Sequence, residues 1–375
     1  MIKSLLHTPE GVRDIRGAEY AQKLRVEQLI HDRFKLYGYE DVETPTFEFF
    51  DLFSREIGTT PAKDLFKFFD REGNTLVLRP DFTPSVARCA ARSLSSLAGD
   101  NNAVRSQRLC YHGSTFTNTS SLQGKLKEHT EMGIELIDQP GVEADGETIA
   151  LVIESLLAAG LQEFQISIGQ VEYFKGMCAD AGLDEETELE LRDFIAGKNI
   201  FGAEDLLISR GVDELHRNRL LNITDLFGSS SVLTDAEQQA DNQRSKEAIM
   251  RLKRLYQVLC HYGVEQYISF DLGMLSKYNY YTGVIFKAYA YGVGDVIVKG
   301  GRYDLLLEKF GQPAPAIGFV IVIDDLMAAL ARQHTPIPTE PVVTLTYTQE
   351  NYAAVLAKAQ SRRHRGERVK MQRRE

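Results

Sequence analysis

Two segments of alternating apolar residues, RLCYHGSTFTN and EMGIELID, lie either side of the polar stretch TSSLQGKLKEHT. The alternation supports two strands that pair antiparallel, with one face apolar and the other polar. Strand signals recur along the chain in LVLRPDF, EFQISI, QYISFDLG, YYTGVIFKAYAY, GDVIVKG and AIGFVIVI. Helical patterns sit between them. Many strands at turn-length spacing, interspersed with helices, predict an α+β protein on a mostly antiparallel sheet flanked by helices.

The first helix is expected over Ala18 to Tyr37, with Leu24, Ile30 and Phe34 as its apolar stripe and Gly38 as its stop. YGYEDVETPTFEFFDLF then reads as an extended segment broken at Pro45. After LVLRP a helix should begin, capped by Asp81 or Thr83, with Pro84 in its first turn. Another helix is expected from Glu143 to Ala159. Residues 170–262 are rich in Leu, Glu, Asp and Arg at helical spacing, with loops at GLDEE, FGSSS and NQRS, and read as a helical insertion. GGRYD is expected to open a helix.

A large domain is therefore expected over 1–333. The linker HTPIPTEP occupies 334–341, where three prolines favour an extended path, and a short β-α unit with a basic tail occupies 342–375.

Composition excludes more than it assigns. With 43% hydrophobic and 26% charged residues the chain is an ordinary globular protein, not a disordered or fibrous one. The net charge of −10 repels nucleic acid at long range. Cys89, Cys110, Cys178 and Cys260 are widely separated, so reduced thiols are expected rather than a disulfide framework or zinc site. The longest apolar run, near Ile317–Ile323, is far short of the roughly 20 residues a membrane span needs. A cytoplasmic protein is expected. No phosphate-binding P-loop or dinucleotide fingerprint is present, and no bound cofactor or metal is expected.

Five segments, in this order, resemble histidyl-tRNA synthetase and its paralogues among the class II aminoacyl-tRNA synthetases. They are TPEGVRDIRG with YGYEDVETPTFE; LVLRPDFTPSVAR; RLCYHGSTF with GKLKEHTEMGIELI; NYYTGVIFKAY; and GGRYDLLLEKFG with PAIGFVIVIDDL. The resemblance spans residues 8 to 330 and implies a class II synthetase-like catalytic core. It also implies which positions matter. The amino-acid side of the pocket would be formed by Asp81 and Thr83 toward the ligand amine, by Glu131 and Glu135, and by Tyr280 and Tyr281 toward an imidazole. Simpler roles stand beside these: Asp81 and Thr83 as helix caps, the tyrosines as strand residues, and the glutamates on a solvent-facing sheet surface. Glu131 and Glu135 lie an even number of residues apart, so on a strand they share a side.

The departures from that pattern decide the functional expectation. The synthetases place an arginine for the α-phosphate of ATP where this chain has Thr117, and one for the γ-phosphate where it has Asp325. A third, which helps activate the histidine carboxylate, corresponds to Ser276, with Lys277 one residue off. Losing a single preorganised donor of this kind costs about 100- to 1000-fold in rate, so aminoacylation is expected to be absent. The β-α unit at 342–375 is shorter than an anticodon-binding domain, and no tRNA partner is expected.

This combination resembles the regulatory subunits of ATP phosphoribosyltransferase. The resemblance implies a non-catalytic chain, homodimeric through its first motif, that assembles with a short-form catalytic subunit and responds to L-histidine. A divergent synthetase using Arg79 and Arg302 for phosphate, or a pseudo-synthetase sensor of histidine or RNA, are the alternatives.

Overall fold

The computed structural model describes residues 6–53, 60–96, 105–119, 125–275 and 280–374. Helix α1 (Gly17–Leu36) leads through Gly38, at φ +76°, into β1 (Glu40–Asp41). Its buried stripe is Val26, Ile30 and Phe34, spaced at four residues. Leu24, expected in that stripe, is 47% exposed. Two residues from Val26 is about 200° around a helix, which puts it on the opposite side. Strands β2 (Phe47–Phe49), β3 (Lys67–Phe69) and β4 (Thr75–Leu78) form a small antiparallel sheet in the order β2-β4-β3. Val77 of its central strand is fully buried against Leu52, Phe53 and Leu65.

Helix α2 (Thr83–Ser96) follows, then the two ten-residue strands β5 (Gln107–Phe116) and β6 (Glu128–Ile137), paired antiparallel along their whole length. Next come α3 (Val142–Ala158) and β7 (Phe164–Gln170). The insertion is α4 (Val171–Asp180), α5 (Glu185–Ala196), α6 (Ile200–Ser209), α7 (Glu214–Asn222), β8 (Phe227–Gly228), α8 (Val232–Gln239) and α9 (Gln243–Tyr262). Its loops supply side-chain caps: Asp184, Asn199, Asp213 and Asn242 each accept a backbone N–H of the helix that follows. β9 (Ile268–Asp271), β10 (Val284–Ala290), β11 (Val298–Arg302), β12 (Ala316–Val322) and α10 (Ile323–Arg332) close the large unit.

The nine-stranded sheet has the order β1-β5-β6-β12-β11-β10-β7-β9-β8. Only β1 with β5 and β7 with β9 run parallel. One face is apolar, where Ile134 and Leu136 are buried and Phe319 meets Phe34 of α1 edge-on at 5.7 Å. On the other face, Ala87, Ala90 and Leu94 of α2 pack with Ile137 and Ile285 and leave the cavity described below beside them.

Two further expectations are corrected. Gly300, Gly301 and Arg302 do not turn into a helix; they continue β11, paired with Phe319, Gly318 and Ile317 of β12. Only a short 3-10 turn follows, at Leu307–Phe310. The cause is Arg302, which is buried and drawn to the equally buried Asp145 of α3. The second concerns the C-terminal segment, read as one strand and one helix. It forms β13 (Val343–Tyr347), α11 (Tyr352–His364) and β14 (Val369–Arg373), with β14 parallel to β13. By packing, the chain divides into two compact units, Met1–Asp14 with Glu27–Thr335 and Ile15–Val26 with Pro336–Glu375.

Candidate functional site

The open face of the sheet carries a cavity of about 480 Å³. It holds all six residues singled out as pocket-forming: Asp81, Thr83, Glu131, Glu135, Tyr280 and Tyr281. Asp81 also caps α2, its Oδ1 accepting the Thr83 N–H at 2.9 Å, so capping and cavity lining are one arrangement.

Glu135 is the centre of this end. Its carboxylate accepts from Thr83 Oγ1 at 2.8 Å, from the Tyr111 hydroxyl at 3.5 Å and from the Tyr303 hydroxyl. Burial pushes its carboxyl up to about 8, against the pull of the Tyr303 and Thr83 bonds. Glu131 is likewise pushed up to about 8, first by burial and then by the charge of Asp81, with Lys299 opposing. Three carboxyl groups in one recess cannot all ionise cheaply. Around them stand aromatic walls. Tyr280 lies 4.6 Å from Tyr281 and 5.9 Å, edge-on, from Tyr303, measured between ring centres.

The floor is made of glycines. Gly301 pairs with Gly318, and Gly318 pairs with Glu135, across three adjacent strands. A Cβ on Gly318 would collide with the Glu135 carboxylate, and one on Gly133 with the Tyr111 hydroxyl. A Cβ on Gly301 would come within 2.6 Å of the Tyr281 ring. These three positions let long polar side chains lie flat on the sheet.

Tyr111, Tyr303 and Lys299 escaped the sequence reading. Their signal is the strand period: Tyr111 shares its face with the cavity residue Thr115, and Lys299 shares one with Gly301. Tyr111 is held by stacking on Phe82, with ring centres 4.5 Å apart.

The other end of the cavity is lined by Thr117 and Asp325. The Thr117 N–H donates to the Lys127 carbonyl at 2.9 Å, and burial raises the Asp325 carboxyl, with His129 opposing. Ser276 lies outside the described residues. Arg79 and Arg302 are committed elsewhere. Arg79 donates to the carbonyls of Ser114 at 2.8 Å and Thr44 at 2.9 Å and lies over the Phe82 ring. Arg302 donates to Asp145 Oδ1 at 2.7 Å and to Asp304 at 3.1 Å.

Among the described residues, metal-ligand atoms converge at His31, Asp41 and Cys110, none of which lines the cavity. That cluster satisfies itself. Asp41 accepts from Lys35 at 3.0 Å, is bonded to His31 at 2.6 Å, and takes the Cys110 thiol at 3.4 Å.

The histidyl-tRNA synthetase family model matches residues 11–326. The ATP phosphoribosyltransferase regulatory subunit of Acetivibrio thermocellus is 40% identical over 345 residues, covering 92% of this chain and 81% of that one. This chain is a histidyl-tRNA synthetase-like protein of the ATP phosphoribosyltransferase regulatory subunit family. The regulatory subunit of Clostridium acetobutylicum is 39% identical over 332 residues, covering 88% of this chain and 80% of that one. A crystal structure described as an ATP phosphoribosyltransferase regulatory subunit/histidyl-tRNA synthetase from Bacillus halodurans superimposes with a TM-score of 0.88. It is 33% identical, and the match covers 98% of this chain and 93% of the other. Within the regulatory subunit family, then, this chain has the class II synthetase-like α+β fold. Its cavity has a hydrogen-bonded acidic end and an end where a threonine and an aspartate stand at the positions expected to grip phosphate.

Proposed function

We propose that this chain is a non-catalytic regulatory subunit of ATP phosphoribosyltransferase. It assembles with a short-form catalytic subunit that joins ATP to phosphoribosyl pyrophosphate, the first step of histidine biosynthesis, and L-histidine feeds back on the assembly. The observation that carries the reading is family membership, through relatives of that name at 34–40% identity. The cavity supports it. An ammonium group is matched by Asp81 and Glu131, and an imidazole by Glu135 with the tyrosine hydroxyls around it.

Aminoacylation is absent in this proposal. Adenylate formation needs fixed positive charge where phosphate charge moves. Thr117 supplies none, and the Asp325 carboxylate repels it. A divergent synthetase would need Arg79 and Arg302 there, and both are bonded into the fold. The proposal further includes a homodimer through the first-motif region, a cytoplasmic location and no tRNA partner. No helix among the described residues is long and apolar enough to cross a membrane.

The test is phosphoribosyltransferase turnover by the catalytic subunit with and without this chain, across a histidine titration. Turnover that depends on the mixture and falls with histidine is the expected result. A chain that neither associates with the catalytic subunit nor changes its turnover would overturn the proposal.

A further inference from the structure

Lys299 is a cation in the cavity to which the reading above gives no task. It stands on β11 two residues before Gly301, so the two share the cavity face. Its cross-strand partner is Val320, which pairs in turn with Gly133. Lys299 therefore rises from the row of the sheet that lies between the row of Glu135 and the row of Glu131. Its charge acts on Glu131 and on Asp325, drawing both carboxyls down against the burial that raises them. Yet among the described residues it is ion-paired with no carboxylate. The cavity's other lysine, Lys125, is exposed and donates to Asp295 at 3.3 Å.

A zwitterionic amino acid sets a specific demand on such a site. Its ammonium is matched by Asp81 and Glu131, but its carboxylate, entering a recess of carboxyl groups without a cation, would be repelled and poorly solvated. We propose that Lys299 receives the carboxylate of an amino-acid ligand in this cavity, so that the site selects the zwitterion over the corresponding amine. The inference rests on the cavity being a ligand site, as proposed above, and assigns the residue that sets its specificity.

The test is calorimetric titration of the full chain with L-histidine and with histamine, which lacks only the carboxylate. The native chain should prefer L-histidine by about tenfold or more, the usual worth of a charge-assisted bond. Lys299→Met should remove that preference, weakening L-histidine about tenfold while histamine binds as before or more tightly. Lys299→Arg should largely retain the preference. Lys299→Gln takes the place of the methionine variant should that one not fold. An unchanged ratio of the two dissociation constants in a folded, uncharged variant overturns the assignment to Lys299. Failure of both ligands to bind the native chain instead overturns the cavity reading, and the inference with it.

Discussion

The two ends of the cavity share one sheet face and differ in how much of the fold is invested in them. At the Glu135 end, three hydroxyl donors from α2, β5 and the segment after β11 converge on one carboxylate, over glycines that leave no room for a Cβ. At the Thr117 end, a neutral side chain and a carboxylate line the cavity, where the resemblance to the synthetases implies phosphate-gripping arginines. The proposed recognition of an amine or imidazole depends on preorganised hydrogen bonds, and these also tie α2 to the sheet. Phosphate chemistry depends on charge at a few positions that nothing else in the fold requires. The second can be lost by substitution while the first persists.

That comparison breaks most visibly in stability. Gly318→Ala forces a methyl into the Glu135 carboxylate and the Ile134 carbonyl, and should cost about 3 kcal/mol in denaturant unfolding. Asp325→Ala at the other end should change stability by no more than about 0.5 kcal/mol. Equal costs would mean that the two ends are packed alike. Glu135→Ala, next in size, strands three hydroxyls, those of Tyr111 and Tyr303 buried and that of Thr83 part-buried. It should weaken L-histidine at least about 100-fold by calorimetry, to the point where no saturable binding is seen, with Glu135→Gln intermediate.

A smaller effect sharpens the electrostatic half of the comparison. The carboxyls of Glu131 and Glu135 are raised to about 8 in the folded chain, above the value near 4.3 of an unfolded glutamate. The folded state therefore binds more protons than the unfolded one between those values, and stability falls as pH rises from about 5 to 8. Thermal melts of the unliganded chain should show that decline, and Glu135→Gln should flatten it by about 2–4 °C. A cationic ligand replaces those protons, so its affinity should rise with pH over the same window. The smallest gain is at the phosphate end. Thr117→Arg with Asp325→Arg should raise affinity for Mg-ATP about tenfold by restoring charge-assisted bonds, with the histidine affinity unmoved.

How far the chain could be read without coordinates follows the same divide. The strand pair, α2 with its Asp81 cap, and the insertion were legible because alternation, capping residues and helical spacing are local. Leu24 was misplaced because one apolar residue off the stripe looks like any other. The continuation of β11 through Gly300, Gly301 and Arg302 was hidden because it depends on Asp145, 157 residues away in sequence. All six pocket candidates line one cavity, but Tyr111, Tyr303 and Lys299 were missed for a common reason. Each belongs to the site through the sheet's non-local pairing, which sets Tyr111 over Gly133 and Lys299 beside Val320 and brings Tyr303, just past the end of β11, against Glu135.

The most direct test of the proposal that this chain keeps amino-acid recognition and has lost ATP handling is a pair of calorimetric titrations of the isolated protein, one with L-histidine and one with Mg-ATP. Saturable binding of L-histidine, abolished by Glu135→Ala, with no binding of Mg-ATP in the millimolar range is the predicted result. Tight binding of Mg-ATP, above all if histidine strengthens it, would contradict the account and return the chain to the synthetases.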